Sequence, residues 1–230
     1  MDEKVLRELE HRLKRLQAQE ACRNLVGRYL FAHPAFDNIQ FVETWAKRED
    51  DILEMPWGSY NGYEGVKKCY LRDHGDRSYK ETYDTLGGAL FLHGADTEVL
   101  EVSEDGMTAR GVWLSMGHET FVMNEKSRNT GDDFGTWEAE WAWSKYAFDF
   151  IFEDGQWKIW HMRLYPLFKA PFGKSWVEEK QPDPEDWQFD DIDSRPEVPW
   201  WTYGADKIYP ANEPEPPLPY KTYEDVGYCL

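Results

Sequence analysis

His93, His118 and Tyr29 are the residues of this 230-residue chain whose types and spacing best suit proton transfer. Imidazole titrates near neutrality, so one histidine can take a proton while a second, protonated, assists a leaving hydroxyl. Their pairing follows from a turn. Asp105-Gly106 lies between two strand-like runs, Thr97–Ser103 and Met107–Phe121, a strong hairpin signal. A tight turn there sets Ser103 opposite Thr108, Glu101 opposite Arg110 and Val99 opposite Val112. Continued without a bulge, this register brings His93 opposite His118 at the far end of a surface made by Val99, Val112, Leu114 and Met116. A slip of one residue would send one imidazole to the other face. The same histidines, with His161 and His33 or Glu119, are also metal-ligand types. No His-x-His or His-Glu-x-x-His spacing is present, and the carboxylates are not grouped with them, so no metal site is expected.

A second Asp-Gly turn, Asp154-Gly155, joins Tyr146–Phe152 to Trp157–Tyr165. An unbroken two-residue hairpin pairs Phe152 with Trp157, Phe150 with Ile159, Phe148 with His161 and Tyr146 with Arg163. This face is apolar near the turn and continues as His161, Arg163 and Tyr165, which reads as the wall of a ligand cavity. The plainer reading is a core histidine and an arginine that ends at solvent. Lys145 and Asp149 fall on the opposite face. Tyr29 and His33 share one helical face, and the Tyr29 hydroxyl, set among apolar residues, needs a polar partner inside the protein. Trp57 and Tyr60, with Tyr63, surround a glycine-bearing turn and form a candidate rim. Neither a phosphate-binding glycine pattern nor a Gly-x-Ser-x-Gly elbow occurs.

The elements that must position these groups are legible in outline. Leu6, Leu9, Leu13 and Leu16, then Leu25, Val26, Tyr29 and Leu30, recur at three- and four-residue steps and predict a helix over residues 3–32, ended by His33-Pro34. Its charged first half is expected to lie against the rest of the protein or a second subunit. Short helices at 38–46 and 62–71 and a strand at 52–57 follow, and from Ala89 the chain turns to strands, with a polar loop at 124–135. Helices first and a long antiparallel meander after them define an α+β layout. Residues 174–230 differ in kind. They hold nine of the 13 prolines and 14 acidic against 5 basic residues. Trp176, Trp187, Trp200 and Trp201 and five tyrosines are spread among them, and aromatics are scarce in disordered tails. The expected organisation is a domain at 1–173 and, at 174–230, an extended acidic arm that docks its aromatics on the domain or a neighbour.

The net charge of −18 opposes binding to nucleic acid or to an anionic membrane surface. Three widely spaced cysteines suggest neither a disulfide framework nor a zinc site, and the start Met1-Asp-Glu-Lys-Val lacks a signal-peptide run, so a cytoplasmic protein is expected. A 16% aromatic content suits a small hydrophobic or aromatic partner molecule.

Arg23-Asn-Leu-Val-Gly-Arg-Tyr29 in a long helix, His93 ahead of Glu98–Val102 and Asp105–Ala109, and above all the run Lys145–His161 resemble the NTF2-like superfamily, and within it the SnoaL-like branch. The resemblance spans about residues 8 to 170. It implies a cone-shaped α+β barrel enclosing a pocket, and activities that include dehydratases, isomerases, polyketide cyclases and lyases alongside non-enzymatic binders. In scytalone-dehydratase-like members two strand histidines and a helix-one tyrosine serve acid–base catalysis, which His93, His118 and Tyr29 match. The aspartate that follows this tyrosine there is absent here, where Leu30-Phe-Ala-His33 stands instead. The length and proline-rich ending resemble a bacterial subset that contains cofactor-independent lyases releasing formaldehyde from lignin-derived diaryl propanoids. The leading expectation is thus a cofactor-free lyase, acting on a phenolic or other hydrophobic alcohol. His93, His118 and Tyr29 would be catalytic, with His33, Trp57, Tyr60, Tyr146, Phe148, His161, Arg163 and Tyr165 binding substrate. An isomerase or cyclase with Arg163 and Tyr146 as oxyanion clamp, or a plain binding protein, is the alternative. A homo-oligomer, dimer or trimer, is expected through the face of Trp160, Met162 and Ala147.

Overall fold

The protein is described by a computed structural model over residues 2–35, 37–72, 89–122, 137–181, 192–197, 202–208 and 213–227. Helix α1 runs Glu3–Ala32. Asp2 caps it, accepting from the Lys4 amide at 3.0 Å and so satisfying one orphan donor of the first turn. Its second half buries Ala18, Cys22, Val26, Tyr29 and Ala32 at helical spacing. Its first half leaves Leu6, Leu9, Leu13 and Leu16 in solvent. That half is moored by polar side chains instead: His11, Arg15 and Gln19 donate to the carbonyls of Glu104, Val102 and Leu100.

After α1 come α2 (Asn38–Val42), β1 (Ile52–Met55), β2 (Gly58–Asn61) and α3 (Gly62–Arg72). Six further strands follow: β3 (Leu90–His93), β4 (Asp96–Val102), β5 (Thr108–Ser115), β6 (Gly117–Val122), β7 (Trp137–Glu153) and β8 (Gln156–Pro171). The helices pack on one face of a single curved sheet ordered β2-β1-β8-β7-β5-β4, with β6 on the free half of β7 and β3 beyond it. The sheet is mixed rather than a pure meander, since β1 lies parallel to β8, and among the described residues it does not close. No described helix is long and apolar enough to cross a membrane. The polar loop expected at 124–135 lies outside the described residues.

Three bulges decide which side chains face the helices. The Asp154-Gly155 turn forms as expected, with φ 50° and 76° giving the tight twist of a two-residue hairpin, whereas at Asp105-Gly106 a wider turn, its Gly106 amide donating to the Ser103 carbonyl, keeps the expected register. Phe152 faces Trp157 and Phe150 faces Ile159, but Trp160 is then an extra residue, and Asp149 pairs with His161 and Ala147 with Arg163. His161, Arg163 and Tyr165 therefore lie on the outer face, which corrects the expectation that they line a pocket. A second bulge in β8 leaves Leu167 over, between the Ser144–Pro166 and Trp143–Phe168 pairs, and returns Lys169 to the inner face opposite Ala142. The third is at Thr97, with φ 43°. The register is as expected from Val102–Ala109 to Glu98–Trp113, then Asp96 meets Leu114 and, further on, Leu92 meets His118 and His93 meets Gly117. His93 and His118 thus point to opposite faces.

The inner face is mostly packed core. Tyr146, Phe148 and Phe150 are buried, with Tyr29 edge-on to Tyr146 and Phe148 at 5.7 and 6.1 Å between ring centroids. The surface of Val99, Leu114 and Met116 is the outer, exposed one, and Leu100, Val102, Ala109 and Trp113 turn inward in its place.

The C-terminal segment is laid over this scaffold. Ser194 bridges to Ser59 on β2, Tyr203 bonds to the Leu167 carbonyl, and Tyr220 is buried with its hydroxyl 3.1 Å from Thr108 Oγ1. Tyr223 packs on Trp160 at 4.5 Å and donates to Asp149. The face of Trp160 and Ala147, expected to meet another subunit, is occupied by the chain's own residues, and Met162 faces inward through the bulge.

Candidate active site

His93 ends β3 with its imidazole lying over Gly117, the residue opposite. A Cβ on Gly117 would stand 2.6 Å from His93 Nδ1 and 2.2 Å from the Ala142 carbonyl, so the close approach requires glycine. His93 Nε2 is 3.0 Å from Glu119 Oε1. The other carboxylate oxygen of Glu119 is 3.1 Å from Lys169 Nζ, and Lys169 also pairs with Glu140. Burial alone would raise the Glu119 pKa, but the His93 hydrogen bond and the Lys169 charge outweigh it and hold it at about 2. An ionised carboxylate only accepts, so His93 Nε2 carries the proton and Nδ1 is the basic nitrogen. Nδ1 is buried and has no hydrogen-bond partner among the described residues. The Lys169 ammonium supplies the positive charge between the two glutamates. Burial works against that charge, but Glu119 and Glu140 raise its pKa overall.

His33 stands beside this dyad, its ring centroid 5.6 Å from His93 and 5.8 Å from Tyr29. Beyond it Tyr29, Tyr70 and Tyr146 form a buried group of phenols. Burial, reinforced by the neighbouring phenols or thiol, pushes all three well above the ordinary tyrosine range, so they remain hydrogen-bond donors at any physiological pH. Within this group the Tyr70 hydroxyl interacts with Tyr29 and the Ser115 hydroxyl with Tyr146.

A cavity of 460 Å³ opens between the middle of α1 and strands β3 to β5, within the range of small-molecule sites. Val26, Leu30, Phe31, Leu92 and Trp113 make it mainly apolar, and His93 is part of its wall. Its other charged groups, Arg23 and Glu98, pair with each other.

Of the residues expected from the sequence, only His93 lines this cavity. His33 and Tyr29 adjoin it through the ring contacts above. Tyr60 and Tyr146 are core, and Trp57 donates to the Tyr60 hydroxyl at 3.2 Å. Phe148 stacks with Phe150 at 5.7 Å. His118 packs on Trp141 at 4.7 Å on the other side of the sheet. His161 belongs to an outer cluster, with Nδ1 2.9 Å from Asp149 Oδ2 and Nε2 3.0 Å from the Asp50 carbonyl. Arg163 pairs there with Glu54 at 2.8 Å. Tyr165, opposite Lys145, is buried on that same side. Glu119, Lys169, Glu140, Arg23 and Glu98 were not singled out as site residues by sequence reasoning, apart from Glu119 as a metal ligand. Pro166 was a usable signal for the bulge that delivers Lys169, because proline inside a sheet tends to mark an irregularity.

A family model described as the SnoaL-like domain matches residues 14–163. The chain belongs to the SnoaL-like family. No curated protein sequence matches it. Among solved structures, this SnoaL-like protein is similar to LinA, at 15% identity, with 74% of this chain and 99% of that one covered and a TM-score of 0.52. It is also similar to a LinA-type3 hexachlorocyclohexane dehydrochlorinase from Novosphingobium barchaimii, at 16% identity, 73% and 99% coverage and a TM-score of 0.49. An NTF2-like protein from Novosphingobium aromaticivorans is similar at 18% identity, 76% and 94% coverage and a TM-score of 0.46. At these identities the likeness is one of fold.

Proposed function

We propose that this SnoaL-like protein is a cofactor-independent lyase that removes water or a one-carbon unit from a small hydrophobic, phenolic alcohol such as a diaryl propanoid. The observation that carries the reading is His93: an imidazole on the wall of an apolar cavity, with Nε2 held by Glu119 and Nδ1 unpartnered. A carboxylate behind the imidazole orients the ring and stabilises the imidazolium that forms when Nδ1 takes a proton. In dehydration, the substrate C–H bond breaks toward His93 Nδ1 and its electron pair forms the new double bond. The C–O bond breaks, and the leaving oxygen takes a proton from His33 to depart as water. The tyrosine hydroxyls beyond His33, kept protonated by burial, are donors suited to developing negative charge.

The test is turnover of a panel of phenolic diaryl propanediols, followed by alkene absorbance and by released formaldehyde. His93→Ala should lower kcat by about 10²- to 10⁴-fold, the usual contribution of a positioned general base, while ligand affinity changes little. Turnover unaffected by His93→Ala would dismiss the mechanism. Binding without turnover in the wild-type protein would leave a ligand carrier.

A further inference from the structure

The cavity has a second polar end that this reaction does not use. Arg23 and Glu98 lie on its wall, with Arg23 Nε donating to Glu98 Oε1 and the Trp113 indole N–H donating to Glu98 Oε2 at 3.2 Å. His33 marks the His93 end and Arg23 the other, about 15 Å apart along α1 at the helical rise of 1.5 Å per residue. Between them the α1 side of the wall is carried by Val26, Gly27 and Leu30, which offer no side-chain hydrogen bond.

The pair dictates what that end accepts. Guanidinium and carboxylate cancel, so the end carries no net charge to attract an ion. Each carboxylate oxygen of Glu98 has one donor already and room for a second. A hydroxyl offers that donor. A methyl ether has none to offer, and a substrate carboxylate would face Glu98 directly, so discrimination here has a repulsive as well as an attractive part.

We infer that Glu98, held by Arg23 and Trp113, selects substrates bearing a neutral hydroxyl on an apolar body, on the order of 10 Å from the carbon that His93 deprotonates. The inference rests on His93 marking the reacting end. It narrows the substrate class to elongated molecules of about two aromatic rings with a terminal phenol or alcohol, and it makes Glu98 a specificity-determining residue with no part in the proton transfers.

Calorimetric titration with 4-hydroxybiphenyl, 4-methoxybiphenyl and biphenyl-4-carboxylate tests it without requiring turnover. Wild-type protein should bind the hydroxy compound about tenfold or more tightly than the methoxy compound, the usual effect of one hydrogen bond to a charged acceptor, and the carboxylate most weakly. Glu98→Ala should abolish the hydroxy preference and make the carboxylate the best ligand, because Arg23 is then unopposed. Glu98→Gln, which retains an acceptor, should preserve the hydroxy-over-methoxy order. His93→Ala should leave the whole ranking intact. A reversal of ligand order is not something loss of folding produces, and circular dichroism of each variant checks the fold. Equal affinity of wild type for the hydroxy and methoxy compounds, no binding of any of the three, or a Glu98→Ala variant with the wild-type ranking would overturn the assignment. A ranking as expected, in a protein without lyase turnover, would reject the proposed reaction and leave this selectivity standing.

Discussion

Replacing Glu119 by Gln isolates the interaction that prepares His93. Glutamine matches the shape of the protonated acid, so the variant approximates the protein with Glu119 neutral. The carboxyl is held at about 2 against an ordinary 4.5, and a difference of that size corresponds to roughly 3 kcal/mol. The folded pKa is depressed, so this stability is fully present above pH 4.5 and is lost as pH falls through about 2. At pH 3 roughly 1 kcal/mol should remain. For a chain of this size each kcal/mol moves Tm by about 2–4 °C, so Glu119→Gln should melt about 6–12 °C below wild type at pH 7 and about 2–4 °C below it at pH 3. Thermal denaturation followed by circular dichroism at the two pH values measures both gaps. Gaps of equal size, or a loss under 2 °C at pH 7, would show that Glu119 is not held by His93 and Lys169 in the way the distances imply.

Three further outcomes follow from the same geometry. Gly117→Ala should cost about 1–3 kcal/mol of stability, the usual range for overpacking, and reduce turnover with it, since the new methyl meets His93 and the Ala142 carbonyl; urea unfolding and kcat read the two effects. His118→Ala should leave kcat within about twofold of wild type, because His118 packs on Trp141 away from the cavity, and steady-state kinetics decides it. Asp51 is buried and its carboxyl is pushed up to about 7 by burial. The stability of its neutral form is fully present below pH 3.8 and is lost as pH rises through 7, so Asp51→Asn should gain in Tm relative to wild type between pH 4 and pH 8.

Much of the site was hidden by a single kind of feature. The two Asp-Gly turns set the strand pairing near each hairpin end correctly, and His93 and Tyr29 stood out by residue type. Strand parity beyond the turns depended on Thr97 and Trp160, and neither residue type announces a bulge. One extra residue at each position exchanged the inner and outer sets. It took His161, Arg163 and Tyr165 out of the interior and turned His93 inward opposite Gly117, while His118 kept the outer face that it shares with Leu114 and Met116. The tyrosine and phenylalanine wall of β7 turned out to be core because α1 lays Tyr29 across it.

Local chemistry by itself determined the helix over residues 3–32, both turns, the α+β order of elements and the family. Helical periodicity, proline stops and Asp-Gly turns act over a few residues, and they leave their mark in the sequence. The meeting of His93 with Glu119 and Lys169, and of Arg23 with Glu98, was decided only by tertiary structure. A β-strand changes face with every residue, so a bulge that relieves strain in one long bent hairpin re-aims each side chain after it, and only packing against α1 and the neighbouring strands selects where that bulge falls.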